Sequence, residues 1–118
     1  MLRDVFDRRT IHLFVAESKN RLVGYALYFF TYSSFLAKPT LYLEDLFVLE
    51  EERGEGIGRA LFLTCANEAV KLGCGRMEWS VLNWNSGAIR FYENLGAKKL
   101  GEWSVFRLDE KALGALKS

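Results

Sequence analysis

The run Val48-Leu49-Glu50-Glu51-Glu52-Arg53-Gly54-Glu55-Gly56-Ile57-Gly58-Arg59-Ala60-Leu61 limits what this chain can become more than any other stretch. A β-rich segment breaks into glycines at 54, 56 and 58 and then opens a helical pattern. Alternating glycines leave backbone N–H groups uncovered at a helix start, where the macrodipole adds partial positive charge. Such a loop suits a phosphate or pyrophosphate.

The 118 residues suffice for one domain with a single core, with no need of metal or disulfide staples. Half of them are hydrophobic and the formal net charge is +1, so nothing suggests a nucleic-acid stripe, an acidic arm or a disordered tail. Cys65 and Cys74, with His12 far off in sequence, make no zinc pattern and read as buried or half-buried free thiols of a reducing compartment. No apolar run is long enough to cross a bilayer, and the segment from Met1 to Asp7 is too charged for a signal peptide. A cytoplasmic location is expected.

Apolar alternation predicts strands over 11–17 and 22–30, joined by a turn at Ser18-Lys19-Asn20-Arg21. A loop with Ser33, Ser34 and Pro39 follows, then a strand over 41–49 that carries Glu44 and Asp45. Positions 57, 61, 65, 69 and 72 follow a helical period that Gly73 ends. A strand is predicted over 76–82, a short helix capped by Asn85 or Ser86 and stopped by Gly96, and a last strand over 103–108. Helical turns are predicted at both ends, one starting at Asp109. The order is β-β-β-α-β-α-β, without repeats or linkers.

Glycine alternation alone is a weak signal. A nucleotide P-loop needs lysine and a hydroxyl after the last glycine, but Gly58 is followed by Arg59 and Ala60. A dinucleotide fingerprint would place its third glycine at Arg59, after strands that read as antiparallel. A second motif decides: Asn85-Ser86-Gly87-Ala88-Ile89-Arg90-Phe91-Tyr92-Glu93-Asn94-Leu95-Gly96-Ala97. With Arg53-Gly54-Glu55-Gly56-Ile57-Gly58 before it, this pair resembles the two core motifs of the GCN5-related N-acetyltransferase (GNAT) superfamily. Tyr28 to Tyr32, Tyr42 to Val48 and Trp84-Asn85 are similar to the diamine (spermidine/spermine) N-acetyltransferase branch. The likeness runs from about Ile11 through nearly the whole chain.

The resemblance implies an α/β fold of the α+β type over a single N-acetyltransferase domain, 1–118. Its sheet would be mixed and largely antiparallel, flanked by helices and lacking the superfamily's usual first strand and first helices. It implies acetyl-coenzyme A as acetyl donor, no metal, and a primary amine as acceptor: a diamine, a polyamine or a lysine-like small molecule. Carried over by residue, Gly54, Glu55, Gly56, Ile57, Gly58 and Arg59 would hold the coenzyme's pyrophosphate, with Arg53 at the entrance. Backbone groups of Leu46, Phe47 and Val48 would pair with the pantetheine arm. Asn85, Ser86 and Ala88 would line its other side, and Tyr92 would protonate the departing thiolate.

Glu44 is the candidate base, because strict strand alternation puts it on one face with Tyr42, Leu46 and Val48 and turns Asp45 to the other. Glu78, Ser80 and, more weakly, Glu102 are candidate acceptor contacts. Each has a plainer reading: Glu44 as an exposed strand carboxylate, Tyr92 as core packing, Glu78 and Ser80 as a solvated strand face. Asp45 reads as structural, Glu50 to Glu52 as a solvated turn, and His12 as a strand histidine without a chemical task.

The branch carries Asp-Pro-Trp where this chain has Ser33-Ser34-Phe35, which removes a carboxylate that would attract a second ammonium. It also carries arginines where Glu93 and Asn94 stand. If the segment before Ile11 is as short as it reads, the strand over 11–17 becomes an apolar sheet edge, and a homodimer is expected. The alternative reading is a catalytically idle module that binds coenzyme A or a protein partner through an incomplete acceptor site.

Overall fold

The computed structural model describes residues 11–34 and 36–116. The segment 1–7, the N-terminal helical turn and Phe35 of the sequence reading lie outside the described residues. The chain divides into two compact units, Met1–Ser80 and Val81–Ser118.

The first unit is a four-stranded sheet in chain order: β1 (Ile11–Ser18), β2 (Arg21–Ser33), β3 (Lys38–Val48) and β4 (Arg76–Glu78). β1–β2 and β2–β3 are antiparallel, and β4 runs parallel to β3, which makes the sheet mixed. Lys19 (φ 52) and Asn20 (φ 63) form the two-residue hairpin turn, both left-handed as such a connection requires. β2 and β3 extend further than predicted. Ser33 pairs with Lys38, and Tyr32 with Pro39, whose carbonyl accepts from Gly75 N–H at 2.9 Å. Proline is tolerated one residue into a strand, where a missing N–H costs little.

Paired residues share a sheet face, so the register sorts the side chains. Ala26, Tyr28, Leu41 and Leu43 are buried on one face, against helix α1 (Ile57–Lys71), which contributes Leu61, Phe62, Cys65 and Ala69. Fully burying a leucine such as Leu41 is worth about 1.5–3 kcal/mol. Gly24 of β2 is crowded by both β3 and α1: a Cβ there would stand 2.8 Å from the Phe47 carbonyl and 3.3 Å from Leu61 Cδ1. Among the described residues, buried polar side chains are satisfied. Thr40 Oγ1 accepts from Arg76 Nε (3.3 Å) and Ser33 Oγ from Leu36 N–H (3.1 Å). Gly73 (φ 75) ends α1 as expected, Cys65 is buried and Cys74 half-buried, both as free thiols.

The second unit holds α2 (Ser86–Asn94), closed by Gly96 at φ 100, and α3 (Glu110–Leu116). Two expectations are corrected. The strand predicted over 76–82 stops at Glu78, and no strand forms over 103–108 among the described residues. Alternating apolar residues fit a strand, but a strand also needs a backbone partner, which the sequence pattern does not supply. Trp103, Val105 and Phe106 remain 72%, 88% and 92% exposed.

Candidate functional site

The glycine run forms an anion-binding geometry from backbone alone. After β3, Glu50–Glu52 make one 3-10 turn. Arg53 then folds back, its Nε donating to the Val48 carbonyl at 3.0 Å. Gly54 (φ 87) and Gly56 (φ 83) are left-handed, with open space where a side chain would stand. The first internal bond of α1 is Ala60 N–H to the Gly56 carbonyl, 2.9 Å. The N–H groups of Ile57, Gly58 and Arg59 therefore have no acceptor within the helix, at the positive end of a 15-residue dipole. A diphosphate fits this donor set.

The pairing of β3 with β4 stops before β3 reaches that loop. β3 pairs with β4 only at Thr40, Leu41 and Tyr42. From Leu43 to Val48 the edge of β3 that faced β4 carries no strand among the described residues, while its other edge stays bonded to β2. Unladdered peptide groups leading into a phosphate loop suit an extended, amide-bearing arm, which pairs with them as a strand would.

A bulge at Glu44 changes the expected face assignments. Leu27 pairs with Asp45 and Tyr28 with Leu43, so Glu44 is an extra residue in β3. Strict alternation fails there. Leu46 and Val48 fall on the helix-covered face, whereas Asp45 and Phe47 fall on the opposite one with Tyr42. The predicted common face of Glu44 with Tyr42, Leu46 and Val48 is not formed, and Asp45 does not point away from Tyr42. Glu44 itself is exposed at the bulge.

This opposite face gathers polar groups among aromatics. Tyr25 O–H donates to Asp45 Oδ2 at 2.7 Å, and Tyr42 Oη lies 3.0 Å from Ser80 Oγ. Glu78 pairs with Tyr42 in register and lies 3.6 Å from Arg76 Nε. The Tyr25–Phe47 and Phe29–Tyr42 rings stand 5.6 and 5.2 Å apart. The hydrogen bond to Asp45, then burial, raises the Tyr25 hydroxyl above its ordinary pKa. Sequence reasoning missed Tyr25 and Asp45; a bulge that reverses facing leaves no mark in the apolar pattern. His12 is, as expected, a strand residue, stacked on Tyr28 at 5.2 Å.

In the second unit, Asn85, one of the two caps predicted, caps α2, its Oδ1 accepting from Ala88 N–H at 3.1 Å. Ala88 and Tyr92, four residues apart, share a helix face, and Ser86 opens the helix exposed. Tyr92 is half-buried, with its ring 5.2 Å from Phe91. Burial raises its pKa, so the phenol keeps its proton at neutral pH. Glu102 is exposed in a turn rather than at the head of a strand.

Residues 1–97 match the sequence model of the Acetyltransferase (GNAT) family. The chain belongs to this family. Among GNAT relatives, it is 46% identical over 105 residues to an L-ornithine N5-acetyltransferase of Arabidopsis thaliana, an alignment covering 87% of this chain and 46% of that protein. It is 40% identical over 98 residues to a thialysine N-epsilon-acetyltransferase of Sus scrofa, covering 80% and 57%. The chain thus spans about half the length of the curated relatives it matches. Among solved structures, an integron cassette protein from the mobile metagenome of V. cholerae superposes with TM-score 0.85 at 28% identity, covering 91% of this chain and 66% of that one. The resemblance read from the two motifs and the mixed sheet is borne out.

Proposed function

We propose that this GNAT chain binds acetyl-coenzyme A and passes the acetyl group directly to the primary amine of a small, cationic, lysine-like molecule or diamine. The strand edge of β3 that is left unpaired from Leu43 to Val48 among the described residues and leads into the glycine loop carries the reading. Loop and edge together offer phosphate donors and unladdered peptide groups in one continuous track. In this reading the amides of 54–59 hold the pyrophosphate, Leu46, Phe47 and Val48 pair with the pantetheine arm, and Asn85, Ser86 and Ala88 supply further contacts. Arg53 holds the loop closed on Val48.

The thioester supplies an activated acetyl group; the chain's own residues manage protons. An ammonium with a lysine-like pKa costs about 4–5 kcal/mol to deprotonate at neutral pH, so a base or water relay has to help. Glu44, exposed at the bulge, takes that role, and an amide from Leu46 to Val48 steadies the developing oxyanion. Tyr92, protonated at neutral pH, donates to the leaving thiolate. Asp45, Glu78 and Ser80 give the acceptor side a cation-friendly face, with Glu102 as a further contact. The relatives acting on ornithine and thialysine support an amino-acid acceptor.

A homodimer is part of the proposal: β1 is an edge strand with no neighbour on its outer side among the described residues. The cytoplasm is the proposed location. A thiol-release assay across ornithine, thialysine, lysine, diamines and polyamines tests the function. Turnover with a lysine-like amino acid or a diamine is expected; binding of acetyl-coenzyme A without turnover of any amine would overturn the enzymatic reading in favour of an idle binding module.

A further inference from the structure

Four of the six residues from Glu50 to Glu55 are glutamates, three before the amides assigned to a diphosphate and one, Glu55, among them. A loop that attracts anions through half a unit of dipole charge is thus flanked by carboxylates that repel them. Among the described residues Arg53 makes no ion pair with them; its Nε is bonded to the Val48 carbonyl. The cation that meets them comes from another element. Arg21, the first residue of β2, places Nη2 3.2 Å from Glu51 Oε1 and 3.4 Å from Glu52 Oε1. Among the described residues it is the one cation within ion-pair distance of that run.

Its position is fixed from two sides. The tight turn at Lys19 and Asn20 sets the hairpin tip, and Leu49 N–H donates to the Val23 carbonyl at 2.8 Å, which ties the start of β2 to the chain just before the glutamates. A surface cavity of about 510 Å³ is lined by Ser18, Lys19, Arg21, Glu51, Glu52 and Glu55, so the guanidinium and the glutamate inside the glycine loop border one space. The Arg21 and Glu51 side chains are 54% and 59% exposed. Exposed pairs of this kind add little to folding stability. Their effect falls on the field at the loop.

We infer that Arg21 is a positioning residue for the anionic ligand: it neutralises Glu51 and Glu52 and so lets the glycine loop accept a diphosphate. The inference rests on the reading of 53–59 as the coenzyme loop.

Calorimetric titration of acetyl-coenzyme A, at low salt and at about 0.5 M salt, tests it on the wild type and on Arg21→Lys, Arg21→Gln, Glu51→Gln/Glu52→Gln and the triple Arg21→Gln/Glu51→Gln/Glu52→Gln. At low salt Arg21→Gln should weaken binding by about three- to ten-fold, a difference that shrinks at high salt, while Arg21→Lys retains most of the affinity. KM for acetyl-coenzyme A should rise with Kd, with kcat far less affected. The triple variant should return to within about two-fold of wild type, because the charges needing neutralisation are gone. A merely structural contact would not be rescued in this way.

Wild-type affinity in Arg21→Gln, or a triple variant as weak as Arg21→Gln, would overturn the inference and leave the coenzyme reading standing. Failure of the wild type to bind at either salt would overturn both. Should Arg21→Gln not fold, the Glu51→Gln/Glu52→Gln variant decides: binding at least as tight as wild type supports the role, and weaker binding refutes it.

Discussion

At the scale of single residues, the proposed chemistry separates into proton donor, base and acceptor face. Tyr92→Phe removes the donor and keeps the ring, so kcat should fall on the order of 10²-fold while the Kd for acetyl-coenzyme A barely moves. Because burial raises this phenol above its usual value of about 10, any alkaline limb that reports its ionisation should lie above pH 10, and Tyr92→Phe should abolish that limb. Equal loss of binding and turnover would count against a donor role. Glu44→Gln should alter the pH–rate profile of kcat/KM; an unchanged profile would remove the base from Glu44. Asp45→Asn takes away the main cause of the raised Tyr25 pKa, so the Tyr25 hydroxyl should titrate at lower pH, which ring-carbon NMR shifts can follow.

At the scale of elements, two glycines carry separable demands. Gly56 sits at φ 83 with open space around it, so Gly56→Ala meets a backbone penalty of about 1–2 kcal/mol and no steric clash. Gly24→Ala places a Cβ against the Phe47 carbonyl and Leu61, and the β2–β3–α1 junction has to shift, at a cost of about 1–3 kcal/mol. Urea unfolding of both variants checks these values. The helix starts and stops were legible in sequence, because Asn85, Gly73 and Gly96 act through their own backbone and the residues next to them. The bulge at Glu44 was not, since it is defined by the pairing of β3 with β2, and a pattern read along one strand misplaced Asp45, Leu46 and Val48. The residues 103–108 were misread for the same reason. Their alternation is strand-like, but strand formation depends on a partner that no local pattern specifies.

At the scale of the whole molecule, the glycine run and the Asn85-to-Ala97 motif announced the family because they are short, ordered and tied to backbone chemistry. The acceptor is less legible, since it depends on which side chains the bulge brings to one face. Assembly can be checked separately: light scattering after size exclusion should give a dimer, and a stable monomer would remove the role proposed for the β1 edge. The most direct measurement is calorimetric titration of acetyl-coenzyme A into the wild type and Gly56→Ala. Saturable binding at one site per chain is expected for the wild type, weakened about ten-fold or more in the folded variant by loss of the amide geometry. No binding to the wild type, or equal affinity in both, would contradict the claim that the glycine loop grips the coenzyme.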